Sequence, residues 1–103
     1  MQYCIVTTTT YSKEEAIKIT KEVLNKKLAA CVQCSEIESS YFWEGKIEHN
    51  LEYKLDFKTS KEKAKELIDF IKSIHSYKVP EIIVTPIIDG NIEYFKWIDE
   101  SIK

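Results

Sequence analysis

The chain has 103 residues, 44% of them hydrophobic and 31% charged, and its formal net charge is −2. These values predict one globular domain over residues 1–103 and argue against disordered, collagen-like and membrane-spanning proteins. The sequence contains no arginine, and its lysines are interspersed with acidic residues. Without a guanidinium fork or a basic face, we expect no nucleic-acid partner.

The start of the chain shows no signal-peptide pattern, which predicts a cytoplasmic protein. Residues 2–6 are apolar, but charged residues follow at 13–15, with no basic stretch or small-residue cleavage site. Cys4, Cys31 and Cys34 are an odd number, which argues against a disulfide framework. Cys31 and Cys34 form a lone CxxC in a predicted strand. Their Cα atoms would lie about 10 Å apart there, too far for a disulfide.

The first half of the chain predicts a strand, a helix and a long hairpin. Residues 2–10 are β-branched and aromatic, which is typical of a strand. Ser12 and Glu15 form a capping-box pattern in which Glu15 reaches back to the Ser12 amide, and it opens a helix over about residues 13–27. A second strand follows from about residue 28 to 43, and Gly45 marks the turn. Residues 46–58 then alternate between apolar and polar without a break, and His49 on the apolar side is predicted to be a packing residue.

The second half predicts a helix, a strand and a final short helix. Thr59 and Ser60 are the predicted caps of the first of these helices, with Thr59 and Glu62 as a capping-box pair. The nearly continuous apolar run at residues 79–84 predicts a central strand that has Pro80 at its start and is ended or bent by Pro86. A turn at 89–91 precedes a short helix from about residue 92.

This order of elements predicts an α+β fold, a ferredoxin-like βαββαβ sandwich with a long β2-β3 hairpin and a C-terminal helix. Two helices would cover one face of a four-stranded antiparallel sheet. The hairpin arms have a dozen residues or more, whereas a typical strand has roughly 5–6. Natural proteins protect such long edges or pair them with another chain. We therefore expect a homo-oligomer that forms through the hairpin.

Short segments spread over nearly the whole chain are similar to those of a known family. They are Leu28-Ala29-Ala30-Cys31-Val32, Tyr41-Phe42-Trp43-Glu44-Gly45-Lys46, Lys58-Thr59, Tyr77-Lys78-Val79-Pro80-Glu81-Ile82, Pro86, Gly90, Tyr94 and Trp97. In their order and spacing they resemble the CutA divalent-ion tolerance family. The resemblance implies a compact homotrimer with hairpins that pair between subunits, a role in tolerance of copper and other divalent metals, and no known enzymatic reaction. The same trimeric fold resembles the PII signalling proteins, which implies an alternative function as a small-molecule regulator with clefts between subunits.

The metal candidates are His75, Glu81 and Cys31, because imidazole, carboxylate and thiolate together suit copper or zinc. We expect no obligatory cofactor, and copper or another divalent cation as the bound metal. Binding should be weak, because Lys78 stands where the family often has an acid. Thr8 stands where some members have a cysteine that is proposed to bind copper. The alternatives are a small buried residue for Cys31 and carbonyl bonding at a helix C-terminus for His75.

A second set of residues predicts an aromatic ligand cleft with few polar groups. Its members are Tyr41, Trp43, Lys58, Tyr77, Tyr94 and Trp97. The alternative is packing between subunits, where Trp and Tyr are also common. An acylphosphatase of this topology would need an arginine. A cysteine hydrolase would need an oxyanion hole beside Cys31, which no glycine-rich loop or helix N-terminus provides. A metal-responsive trimer and a PII-like regulator therefore remain as the two functions.

Overall fold

The computed structural model describes residues 2–103, which form four strands and three helices. In chain order they are β1 (Tyr3–Thr10), α1 (Lys13–Asn25), β2 (Cys31–Trp43), β3 (Lys46–Ser60), α2 (Lys61–Ile74), β4 (Ile82–Ile87) and α3 (Ile92–Ser101). The strands form one antiparallel sheet in the order β2-β3-β1-β4. This confirms the predicted α+β, ferredoxin-like fold. No helix within residues 2–103 is long and apolar enough to cross a membrane.

The main core lies between one face of the sheet and the pair α1 and α2. Val6 and Phe57 on the strands meet Ile19, Leu67 and Ile71 on the helices, and all five side chains are fully buried. Burial of each such side chain stabilises the fold by about 1.5–3 kcal/mol. The helical apolar stripes predicted from the sequence therefore form this core.

Helix α3 covers the opposite face of the sheet, near the start of β1. The rings of Tyr3 and Phe95 stack with centroids 4.7 Å apart, and Ile98 and Ile102 are buried beside them. Gly90 precedes the helix, and a Cβ atom at this position would lie 2.8 Å from the Phe95 ring. Only glycine allows this close approach, so Gly90 fixes how α3 meets the sheet.

The end of α1 differs from the prediction by two residues. The helix ends at Asn25 because Lys27 adopts a left-handed conformation with φ 56°. The Lys27 amide donates to the Leu24 carbonyl, and the Leu28 amide donates to the Val23 carbonyl. This pair of bonds is a Schellman motif, which turns the chain toward β2 and delays that strand to Cys31.

The cap of α2 is Ser60 rather than Thr59. The Ser60 hydroxyl accepts from the Lys63 amide at 3.2 Å. The Thr59 hydroxyl instead donates to the Leu28 carbonyl at 2.8 Å, in the buried interior. The predicted Thr59–Glu62 box is therefore wrong, because Thr59 still belongs to β3 and its side chain faces the core.

The prediction of a central strand at residues 79–84 is also wrong. Strand β4 starts later, at Ile82, and lies at an edge of the sheet, where β1 is its one partner among the described strands. Pro86 lies inside it, opposite Cys4. An edge strand tolerates proline because one of its sides is unpaired. The apolar run indicated a buried strand, but Ile83 is 52% exposed in this chain.

The hairpin of β2 and β3 extends well beyond the rest of the sheet. The two strands have 13 and 15 residues, which confirms the predicted long arms. Glu44 and Gly45 both have positive φ, as a tight two-residue turn requires. Strand β1 pairs with β3 over residues 53–60, so within residues 2–103 the strand residues 46–52 pair with β2 alone. His49 in this part is exposed and bonds to Ser40, so its prediction as a packing residue is wrong for this chain.

Candidate functional site

The His75 side chain is fully buried at the C-terminal end of α2. Its Nε2 lies 2.8 Å from the Thr9 carbonyl oxygen, which can only accept a hydrogen bond. Its Nδ1 lies 3.0 Å from the Tyr77 amide nitrogen, which can only donate. The imidazole therefore has its proton on Nε2 and a lone pair on Nδ1. Because both nitrogens already have partners, a metal ion could bind His75 only if one of these hydrogen bonds were given up.

A glutamate from α1 holds the loop that follows His75. The Glu15 carboxylate accepts from the Ser76 amide and from the Ser76 hydroxyl, each at 2.8 Å. Ser12 forms only one half of the predicted capping box, since its hydroxyl accepts from the Glu15 amide at 3.1 Å while the Glu15 carboxylate turns to Ser76. The Glu15 Oε2 atom also lies 3.7 Å from His75 Nδ1. Because Nδ1 has a lone pair and no proton, this contact is not an ion pair. Glu15 therefore fixes the loop rather than the start of its own helix.

The other two metal candidates lie far from each other in the fold. Glu81 is exposed just before β4, and its backbone carbonyl accepts from the Thr8 hydroxyl at 2.7 Å. It therefore shares the C-terminal end of β1 with His75. Cys31 is half-buried at the start of β2, the outer strand on the opposite side of the sheet, at least about 14 Å from β4. Within residues 2–103, no three His, Cys, Asp or Glu side chains are grouped so that they could hold a metal ion.

These positions leave the metal assignment as a prediction. His75 and Glu81 come to one end of β1, but the His75 side chain is buried and Glu81 faces solvent. Lys78, in the loop between them, is exposed. One chain therefore supplies separate donors rather than a complete coordination sphere, and a second chain would have to complete a site that includes Cys31.

A polar cluster that the sequence did not indicate lies at the base of the hairpin. The Tyr77 hydroxyl donates to the Glu52 carboxylate at 2.7 Å, and only 8% of Glu52 is exposed. Burial, and next the hydrogen bond to Glu52, raise the pKa of Tyr77 well above its usual 10.0. Nearby, the Asn50 side-chain amide donates to the Tyr41 hydroxyl. The phenol of Tyr77 therefore stays protonated and joins the loop after α2 to β3.

Sequence reasoning missed the roles of Glu15 and Glu52. The alternation of β3 placed Glu52 among solvated charges, and the capping pattern gave Glu15 a local partner. Their actual partners are distant in sequence, 61 residues away for Glu15 and 25 residues away for Glu52. No short-range pattern contains this information. Only the paths of the 75–81 loop and of β3 bring the partners together.

The six residues of the predicted aromatic cleft fall into three places in one chain. Lys58 lies under the Tyr94 ring, and Tyr94 stacks on Trp97. The next place lies along the outer part of the hairpin, where Tyr41 accepts from Asn50 and Tyr77 donates to Glu52 nearer the base. The third is the hairpin tip, where Trp43 pairs with Lys46. The thirteen strand residues from Lys46 to Lys58 span about 40 Å. A cleft that contains all six residues would need more than one chain.

A family model and curated relatives match nearly the whole chain. The model described as "CutA1 divalent ion tolerance protein" matches residues 4–101. A divalent-cation tolerance protein CutA from Archaeoglobus fulgidus is 47% identical over 92 residues, which are 89% of this chain and 90% of the relative. The protein of the same description from Thermotoga maritima is 36% identical over 98 residues, 95% of this chain and 97% of the relative.

A solved structure extends the similarity to the fold. The structure of the protein described as the periplasmic divalent cation tolerance protein CutA from Archaeoglobus fulgidus has a TM-score of 0.96 with this chain. It shares 44% sequence identity, and the alignment covers 98% of this chain and 99% of that one. The sequence and structure comparisons therefore agree on one family.

Proposed function

The chain belongs to the CutA1 divalent ion tolerance protein family, and on this basis we propose that it is a homotrimer that binds divalent metal ions, copper among them. The observation that carries the tolerance role is the family match over residues 4–101. The relatives reported above are described by tolerance of divalent cations rather than by an enzymatic reaction. The proposed protein accordingly acts by binding and not by catalysis.

The strand edges support the trimer. Residues 46–52 pair with β2 only, and the outer sides of β2 and β4 pair with no strand of the described chain. Unpaired edges of this length invite pairing with another chain. Strand β4 also lacks charged residues, and Ile83 and Val84 are 52% and 44% exposed. A second and a third copy that pair through these edges would cover both the backbone groups and the apolar side chains.

Sedimentation equilibrium of the untagged protein tests the trimer. We expect three chains per particle at micromolar concentration. In Leu51→Pro, the proline removes a backbone donor and strains β3 in the exposed part of the hairpin, so assembly should be lost. A wild-type monomer under these conditions would contradict the proposal.

For copper we propose a weak site at His75, with Glu81 or Cys31 as a second donor. Imidazole is a good ligand for Cu(II), which stands at the top of the affinity order of divalent metals. Binding at Nδ1 would cost the hydrogen bond from the Tyr77 amide, and Lys78 places a positive charge in the same loop. Both effects lower the affinity. Binding should also fall at acid pH, because a protonated imidazole has no lone pair to offer.

The two histidines of the chain allow a matched test of this site. Copper titration by calorimetry should show binding in the wild type and in His49→Ala, and loss of binding in His75→Ala. Cys31→Ser should weaken it. Because His75 is buried and His75→Ala could disturb the loop, paramagnetic broadening of the two histidine NMR signals in the wild type provides an independent measurement. Broadening of His49 alone would move the site to the hairpin and contradict the assignment.

The predicted cytoplasmic location is part of the proposal and needs its own test. The solved relative from Archaeoglobus fulgidus is described as periplasmic. Cell fractionation followed by detection of the untagged protein decides between the two compartments. The alternative of a PII-like regulator gains no support from the relatives reported above.

A further inference from the structure

A cavity lies at the end of the sheet where β1 begins, β4 ends and α2 begins. Its volume is about 330 Å³, and its lining includes Gln2, Cys4, Lys61, Val84, Pro86 and Ile88. Cys4 lies directly opposite Pro86 in the β1–β4 ladder and belongs to the core that α1 and α2 cover. The cavity therefore opens on the side of the sheet that carries these two helices, and α3 packs on the other side.

The cavity is open because the first turn of α2 is polar. Residues 61–63 of this helix are lysine, glutamate and lysine, and its first buried residue is the small Ala64. Larger apolar side chains of α2 reach the sheet only further along the helix. The start of α2 therefore brings no large apolar group to the sheet, and Cys4 and Pro86 are left beside an open space.

The wall that β4 contributes to the cavity is apolar and accessible. Val84 is 44% exposed and Ile88 is 94% exposed. Side chains alternate along a strand, so Val84 lies on the same face of β4 as Pro86. Together with the thiol of Cys4, these groups give a surface on which a hydrocarbon chain can be buried.

One positive charge lies at the cavity. Among the described residues that line it, Lys61 alone carries a charge, and no ion pair within residues 2–103 includes this lysine. The Lys61 Nζ lies 3.5 Å from the side-chain oxygen of Gln2, a long hydrogen bond to a neutral group. Burial raises the pKa of the Cys4 thiol more than the Lys61 charge lowers it, so the thiol stays neutral. The ammonium therefore has donors left for a negatively charged group.

From this geometry we propose that the cavity binds a short aliphatic carboxylate. The hydrocarbon chain of the ligand packs on Cys4, Val84 and Pro86, and its carboxylate pairs with Lys61. A volume of about 330 Å³ is at the lower end of the range for ligand pockets, which favours a small ligand. All of these groups come from one chain, so the site depends neither on the proposed metal nor on the proposed trimer.

The test uses the full-length protein in the presence of a chelator and three probes. Hexanoate has both the chain and the anion, hexan-1-ol has only the chain, and acetate has essentially only the anion. The methyl NMR signals of Val84 and Ile88 in ¹³C-labelled protein report on the cavity. We expect hexanoate to shift them in a saturable way, and hexan-1-ol and acetate to bind about tenfold more weakly or not at all.

A series of chain lengths tests the apolar part of the site. From propanoate to hexanoate, each added methylene should raise the affinity about fourfold, because each buries a similar apolar area. This measurement needs no variant. An affinity that does not rise with chain length would show that only the charge is recognised and would contradict the cavity as the site.

Matched variants locate the charge. Lys61→Met should weaken hexanoate binding by about tenfold and remove the preference for hexanoate over hexan-1-ol, whereas Lys61→Arg should keep most of both. Lys63→Met is the control, because Lys63 belongs to the same turn of α2 but its Nζ donates to the Lys27 carbonyl at 3.3 Å. In the wild type, added salt should weaken the binding of hexanoate.

Four results would overturn the proposal. They are no shift of the Val84 and Ile88 signals, equal binding of hexanoate and hexan-1-ol, wild-type preference in Lys61→Met, and the same loss in Lys63→Met as in Lys61→Met. Sedimentation equilibrium with and without hexanoate keeps this test separate from that of the trimer, because the copies can stay assembled when no ligand binds.

Discussion

The two halves of β3 have the same sequence pattern but different surroundings. In residues 53–60, Leu55 and Phe57 are fully buried under α1 and α2. In residues 46–52, Ile47 and Leu51 occupy the same face of the same strand and are 62% and 53% exposed. The difference arises because β1 and the helices reach only as far as residue 53. Alternation thus shows which face of a strand is apolar, but not whether anything covers that face.

The largest expected effect comes from truncating one leucine in each half of β3 to alanine. Leu55→Ala should lower the free energy of unfolding by about 2–5 kcal/mol, because it leaves a cavity in the core. Leu51→Ala, four residues earlier on the same face of β3, should change the stability of an unassembled chain by less than about 0.5 kcal/mol, so a larger loss measures how far the proposed trimer covers this side chain. Urea titration followed by circular dichroism measures both values. An equal loss for the two variants would show that another chain covers Leu51 in solution.

The same contrast explains what the sequence could and could not predict. The order of elements, the long hairpin and the tight turn at Gly45 follow from local patterns, and the structure confirms them. The position of β4 at an edge of the sheet depends on strand order, which its apolar run does not encode. The contacts of Glu15 and Glu52 depend on partners that are distant in sequence. For the candidate site, the residue types could be predicted, but their grouping could not.

The next prediction concerns the boundary between the two halves, where Tyr77 donates to Glu52. Tyr77→Phe leaves the Glu52 carboxylate, which is only 8% exposed, without this donor. We expect a loss of about 1–3 kcal/mol in the free energy of unfolding at neutral pH. Glu48→Gln, at an acid nearer the hairpin tip, is the control and should have little effect. A neutral result for Tyr77→Phe would mean that water replaces the phenol.

The pH dependence of stability is a second test of the role of Tyr77. Burial and Glu52 raise the pKa of Tyr77 in the folded state above its usual 10.0. Above about pH 10, the unfolded chain therefore releases this proton more readily than the folded protein does, and stability falls as the pH rises. Tyr77→Phe should reduce this alkaline loss. It should not abolish it, because the hydrogen bond to Asp99 raises the pKa of Tyr3 as well. An unchanged alkaline profile would contradict the role of Tyr77.

The smallest expected effects come from relieving backbone strain at two residues, one in the body of the fold and one in the hairpin turn. Lys27 at the end of α1 and Glu44 in the hairpin turn have φ 56° and φ 51°, a conformation that costs a side chain roughly 1 kcal/mol relative to glycine. Lys27→Gly relieves this strain in the body of the fold, where the Schellman motif joins α1 to β2. Glycine also gives the unfolded chain more freedom, so we expect a net gain of at most about 1 kcal/mol in the free energy of unfolding.

Glu44→Gly removes the same kind of strain from a region with few buried contacts. If the outer hairpin opens on its own, the gain should appear as slower hydrogen exchange of residues 46–52 and not as a higher global stability. Lys27→Gly should do the reverse, with a higher urea midpoint and unchanged exchange in the outer hairpin. A rise of the midpoint by the same amount in both variants would show that the hairpin unfolds together with the core. The two halves of β3 would then be one cooperative unit despite their different burial, as pairing of the outer half with another chain would require.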